Sequence, residues 1–99
     1  MMDVDSIHRA LAHPFRREIL AWLKAPNEAF APGEIEFRHG VPAGAIHARA
    51  TLSQSTVSAH IAVLVAAGLV ISHKVGQWTL LSRDEERIRT FAEHLRTQL

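Results

Sequence analysis

Apolar positions along this chain follow a helical rhythm at both ends and in the middle, broken by one irregular stretch and one hairpin signal. Val4, Ile7, Ala10 and Leu11 share a side of a short helix over Ser6 to Ala12. His13-Pro14 interrupts it, and Pro14 suits the first turn of a second helix, where a missing N–H costs nothing. That helix runs to about Leu23 and is expected to bury Phe15, Ile19, Leu20 and Leu23. Pro26, Pro32-Gly33, Gly40 and Pro42 then break regular pattern from Ala25 to Gly44. Within it Ile35 and Phe37 alternate with Glu34, Glu36 and Arg38, the pattern of a short extended piece. A short helix follows over about 43–50, then a turn at Thr51-Leu52, then a helix from Ser53 to Ala67 that Gly68 is placed to end. Val70 to Val75 and Trp78 to Ser82 read as two strands around Gly76-Gln77. A last helix, Asp84 to about Gln98, opens with three acids at its positive end and carries Ile88, Phe91, Ala92, Leu95 and Leu99 as its apolar stripe.

The helix over Ser53–Ala67 carries the most specific signal. Val57, Ile61 and Leu64 form its inner stripe, which leaves Gln54, Ser55, Ser58 and Ala59 outside. An exposed helix start normally attracts Asp or Glu, and this one has none. Small polar side chains there suit a helix pressed end-first into the DNA major groove. Ser53 would cap; Gln54 is able to read adenine through two hydrogen bonds; Ser55 and Thr56 reach a phosphate or a base edge; Ala59 suits a thymine methyl. His60 borders the inner stripe and reads first as a half-buried imidazole whose outer nitrogen faces a phosphate.

Charge distribution agrees, although the net charge of +1 says little alone. No acid occurs between Glu36 and Asp84, and the full charges from residue 37 to 83 are Arg38, Arg49, Lys74 and Arg83. Arg49 and Lys74 are the expected phosphate contacts, with Gln77 at the hairpin tip either a turn residue or a groove contact. Four cations are few for duplex DNA, and a symmetric dimer would double them.

With 99 residues, 47% apolar and 21% charged, the composition is that of a single folded domain. Zero cysteines exclude disulfides and thiolate metal sites. The acidic start Met1-Met2-Asp3-Val4-Asp5 lacks the order of a signal peptide, and the longest apolar run, Ile61 to Ile71, is too short for a membrane span; a cytoplasmic location without membrane contact is expected. No Gly-rich phosphate loop or Ser/His/acid grouping suggests an enzyme, and no cofactor is expected. Seven histidines raise the question of metal. His8 and His94, with Asp3, Asp5 and Glu93 nearby, are the candidates, but their spacing is not that of a ligand pair, and no metal site is assigned.

The order helix, helix, loop, helix-turn-helix, hairpin, helix is that of a winged helix-turn-helix, a mainly α fold with a small β wing. His13-Pro14-Phe15-Arg16-Arg17-Glu18-Ile19-Leu20, Leu52-Ser53-Gln54-Ser55-Thr56-Val57-Ser58-Ala59-His60-Ile61, Ala67-Gly68-Leu69-Val70 and Gly76-Gln77-Trp78 resemble the ArsR/SmtB family of bacterial transcriptional repressors. The resemblance implies one domain over 1–99, with the helix-turn-helix at about 43–67, the wing at about 70–82 and terminal dimerisation helices at about 4–12 and 84–98. It further implies a homodimer on a pseudo-palindromic operator, released by an inducer. Ile7, Leu11, Ile88, Phe91, Ala92 and Leu95 are the expected dimer contacts.

This chain departs from the family pattern in four places. Thr51 stands at the turn where Gly is common, His47 where a small residue is usual, the Ala25–Gly44 loop is long, and both familiar metal-ligand sets are absent. A non-metal signal is therefore expected, with an organic small-molecule inducer or no inducer at all as the two options. The competing readings are a repressor with His, Asp and Glu ligands at its dimer interface, and a winged-helix module that binds protein.

Overall fold

The computed structural model describes residues 2–30, 37 and 39–99. Its first helices, α1 (Val4–Leu11) and α2 (Pro14–Lys24), are joined by a turn that the side chains of α2 close. Asp3 caps α1 by accepting from the Ser6 N–H at 3.1 Å, and His13 Nδ1 caps α2 by accepting from the Phe15 N–H at 3.1 Å. The end of α1 is then satisfied from outside. Arg16 donates to the Ala10 and Arg9 carbonyls at 2.7 and 3.0 Å, and Arg17 donates to the Leu11 carbonyl at 2.6 Å. Two cations thus sit on the negative end of α1, where both hydrogen bonding and the helix dipole favour them.

The stretch expected to lack regular structure contains two short elements, α3 (Pro26–Ala29) and β1 (Val41–Pro42). Pro26 begins α3 rather than breaking it, because the first helical position needs no N–H. Strand β1 exists through a distant partner: Val41 and Pro42 pair with Leu81 and Leu80. As an edge strand it tolerates a proline. Gly40, at φ 120°, lies so near β3 that a Cβ would sit 3.0 Å from the Leu81 carbonyl oxygen. The extended piece expected over Glu34–Arg38 falls outside the described residues apart from Phe37, whose ring lies 5.7 Å from that of Phe30.

Next come α4 (Ala43–Arg49) and α5 (Gln54–Ala66), then the hairpin β2 (Val70–Val75) and β3 (Trp78–Arg83), and finally α6 (Glu85–Gln98). The sheet is antiparallel in the order β1-β3-β2. Between α4 and α5 the chain turns without a left-handed residue: all described residues with positive φ are glycines, so Thr51 is accommodated in an ordinary conformation. Helix α5 ends in a Schellman motif. Gly68, at φ 81°, donates to the Val65 carbonyl at 3.0 Å, and Leu69 donates to the Leu64 carbonyl at 3.1 Å. The Asp84 N–H then bonds the Leu69 carbonyl at 2.9 Å, closing the base of the hairpin where α6 begins.

The core collects one or two residues from most elements: Ile7, Ile19, Ile46, Val57, Leu64, Leu69 and Leu81 are almost wholly buried. Phe15 and Leu20 are only half-buried, unlike Ile19 and Leu23 on the same helix. Trp22 is buried among Phe15 and Phe30 in edge-to-face contact. Trp78 stands 53% exposed at the tip of the hairpin, paired with the exposed Val75. Among the described residues no helix is long and apolar enough to cross a membrane.

Two glycines make opposite predictions. Gly68→Ala forces a side chain into a left-handed position and places its Cβ 3.2 Å from the Arg87 guanidinium; it should destabilise the fold by about 1–2 kcal/mol. Gly44→Ala adds a Cβ to open space on α4 and should be neutral or stabilising by up to about 1 kcal/mol. Urea titration of both variants against the parent reads the contrast.

Candidate nucleic-acid interface

Helix α5 presents the expected outer patch because its inner stripe is held. Val57 and Leu64 are fully buried and Ile61 is half-buried, which turns Gln54, Ser55, Thr56, Ser58 and Ala59 to the exterior. Ser53 is the N-cap: its Oγ accepts from the Thr56 N–H at 3.3 Å and donates to Thr56 Oγ1 at 2.8 Å. No acid occupies the first turn of α5. The positive end of this helix therefore meets solvent without a neutralising carboxylate, beside hydroxyls and one amide.

Two elements packed against α5, α4 and β2, carry exposed cations. Arg49, exposed at the end of α4, has its guanidinium carbon 5.0 Å from the Trp22 ring centre, a cation–π contact that leaves its N–H edges available. Lys74 lies exposed on β2 opposite Thr79, next to the hairpin tip with Gln77. The other cation of the segment within the described residues, Arg83, is tied to Glu85 at 2.6 Å. Among the described residues no carboxylate pairs with Arg49 or Lys74.

His60 occupies a different environment from the rest of the patch. It is half-buried where α5 meets α2: Arg16 Nη1 lies 3.3 Å from its Nδ1, the His13 ring centre 4.3 Å away and the Phe15 ring centre 5.4 Å away. With its proton on Nε2, His60 accepts from Arg16 and links the recognition helix to the arginine that caps α1. Sequence reasoning identified the half-buried imidazole and missed its partner, although Arg16 sits in the same motif as His13. His47 on α4 also faces α5, with Nε2 3.5 Å from Ser58 Oγ; its Nδ1 is enclosed and has no hydrogen-bond partner among the described residues.

The residues expected at a dimer contact divide into two groups. Ile7 is fully buried in the chain's own core and Phe91 nearly so, packed edge-on against His8 at 5.1 Å, so neither has surface left for a second copy. Leu11, Ile88 and Leu95 are half-buried and Ala92 is exposed, so these four retain apolar surface on the terminal helices. No three His, Asp or Glu side chains converge as a metal ion would require among the described residues.

Two helices joined by a tight turn, the second capped and outward-facing, followed by an antiparallel hairpin, define a winged helix-turn-helix protein. A helix-turn-helix domain family matches residues 11–73. The chain is 36% identical over 100 residues to the HTH-type transcriptional regulator YbzH of Bacillus subtilis (strain 168), covering 99% of this chain and 100% of that one. The crystal structure of an ArsR family transcriptional regulator has the same fold, with a TM-score of 0.73 at 20% identity over 99% of this chain and 92% of that one. An ArsR-like transcriptional regulator from Rhodococcus sp. RHA1 gives 0.70 at 25% identity over 95% of this chain and 76% of that one. This chain belongs to that helix-turn-helix family, and its fold is the one found in ArsR-family transcriptional regulators.

The environment of His60 has a pH consequence. Burial, then the neighbouring His13 and Arg16, hold its pKa below the ordinary 6.5. As the pH falls the unfolded chain takes up this proton first, so the contribution of the junction is complete above about 6.5 and is lost as the pH falls through the folded value. Between about pH 7.5 and pH 5.5 the parent should therefore lose more thermal stability than His60→Gln, which has no proton to take up. Equal losses in both proteins would count against the junction.

Proposed function

We propose that this chain is an ArsR-type homodimeric repressor that reads a pseudo-palindromic operator through α5 and is released by a non-metal signal. The supporting observation is the start of α5: capped, outward-facing, free of acids, and flanked by Arg49 and the wing residue Lys74. In this reading Gln54, Ser55, Ser58 and Ala59 meet base edges, while Ser53, Thr56, Arg49, Lys74 and Gln77 meet the backbone or the minor groove. His60 acts from behind, by holding α5 against α2, and offers at most its outer nitrogen to a phosphate.

A single copy offers one recognition helix and few cations, which is too little for a selective site in a genome. A two-fold dimer through α1 and α6 doubles both and covers the apolar surface of Leu11, Ile88, Ala92 and Leu95. Repression then follows from occupying the operator. Regulation requires a signal that binds the DNA-competent and DNA-incompetent dimers with different affinity.

Replacing Gln54 and Ser58 together by Ala should cost about 1–3 kcal/mol for each base edge that is no longer read, with melting behaviour unchanged. Footprinting on the DNA beside its own gene measures this, and undiminished protection would remove α5 as the reading helix. Lys74→Ala should weaken specific and random duplexes alike and reduce the salt slope by roughly one per phosphate neutralised per subunit.

Leu95→Glu tests the dimer. It should sediment as a monomer and bind operator roughly a hundredfold more weakly, because two-site attachment is abolished. Phe91 is unsuitable for this purpose, since a charge there would disturb the core first.

A further inference from the structure

A cleft of about 550 Å³ lies between the helix-turn-helix and the wing. Its floor is apolar, formed by Ile61 and Val65 of α5 and Leu81 of β3. It is open because α5 carries only Ala62 and Ala66 at its edge, two exposed methyl side chains one helical turn apart. Four polar groups stand around it: His47 from α4, Ser58 from α5, Ser72 from β2 and Thr79 from β3. Among the described residues no Lys, Arg, Asp or Glu lines it. A phosphate or a carboxylate would find no counter-charge there, whereas an apolar body with one or two hydrogen bonds is well matched.

His47 is the polar group most in need of a partner. Its Nδ1 is enclosed without a hydrogen bond among the described residues, and its Nε2 reaches Ser58 only at the 3.5 Å limit. An unpaired buried nitrogen carries a desolvation cost that a hydroxyl donor would remove. For Nδ1 to meet a ligand the imidazole must make a half-turn about χ2, which exchanges Nδ1 with Cδ2 and gives up only the long contact of Nε2 with Ser58.

We propose that this cleft binds an uncharged ring compound bearing one hydroxyl, of phenol type, and that its occupancy lowers affinity for DNA. The ring lies on Ile61 and Val65, and the hydroxyl donates to His47. Coupling is built into the lining, because Ser58 also belongs to the DNA-facing patch and Ser72 and Thr79 belong to the wing. A molecule held between α5 and the wing alters their relative position and takes up the space beside Ser58, so it binds the DNA-free form better. This site rests on the reading of the chain as a regulator released by an organic signal, and it places the sensor beside α5.

The test uses the full chain, a duplex selected by the protein from a random pool, and 2-naphthol as the fluorescent probe. Saturable binding of one naphthol per chain is expected, with 2-methoxynaphthalene, which cannot donate, binding roughly tenfold more weakly. Ala66→Phe, which fills the cleft, should reduce naphthol affinity at least tenfold. Ala62→Leu serves the same purpose if circular dichroism shows the first variant misfolded. In the parent, naphthol should weaken duplex binding, and in the filled variant it should not. Absent saturable binding, or naphthol affinity unchanged in the filled variants, overturns the site. Naphthol binding that fills the cleft without moving DNA affinity overturns the coupling and leaves the site. If the parent selects no duplex at all, the regulator reading falls with the coupling, while the fluorescence titration still decides the cleft.

Discussion

The buried stripe of α5 is the constraint on which the other parts of this structure depend. Val57 and Leu64 are sealed against the residues of α2, α4 and the sheet, and a helix with two anchors of this kind cannot rotate about its axis without exposing them. That restriction sets which side chains of the first two turns face outward. The cap at Ser53 and the Schellman end at Gly68 determine where the helix starts and stops. Its length, angle and rotation are therefore all determined before any DNA is met, and a rigid scaffold of this kind keeps the entropy cost of recognition low.

The junction behind α5 explains why His13-Pro14-Phe15-Arg16-Arg17 occurs as a block. His13 and Pro14 start α2, Arg16 and Arg17 finish α1, and Arg16 also reaches His60 on α5. Three helices meet at one guanidinium. The arrangement needs His60 neutral, because a second proton would remove the acceptor and set an imidazolium beside Arg16 and His13. His60 is better understood as a brace that holds α5 than as a DNA contact of its own.

On the opposite side of α5 the packing is looser. Ile61 is half-buried, Ala62 and Ala66 are exposed, and the wing stands off enough to leave a cleft. The two flanks of α5 thus differ in kind: one is polar, cross-linked by hydrogen bonds and sensitive to protons, the other apolar and open. A regulator needs a part that holds its shape and a part whose occupancy changes it. The α2 flank suits the first role and the wing flank the second.

Much of the architecture is legible in the chain itself. The helical period, the caps at Ser53 and Asp84, the stop at Gly68 and the Gly76-Gln77 tip are local signals, and each element they mark is present. The outward set Gln54, Ser55, Ser58 and Ala59 was equally legible, because position on one helix follows from spacing alone. Tertiary structure decided what depends on distant partners. Strand β1 exists through Leu80 and Leu81, some forty residues away, and no local pattern announces it. Ile7 and Phe91 share stripes with residues that keep free surface, and only the packed chain shows that these two face their own core. Over Ile61–Ala66 every residue is apolar, so periodicity could not distinguish floor, wall and solvent. That assignment, and with it the cleft beside His47, comes from the way the wing folds back over α5, a contact between segments whose local sequences carry no information about each other.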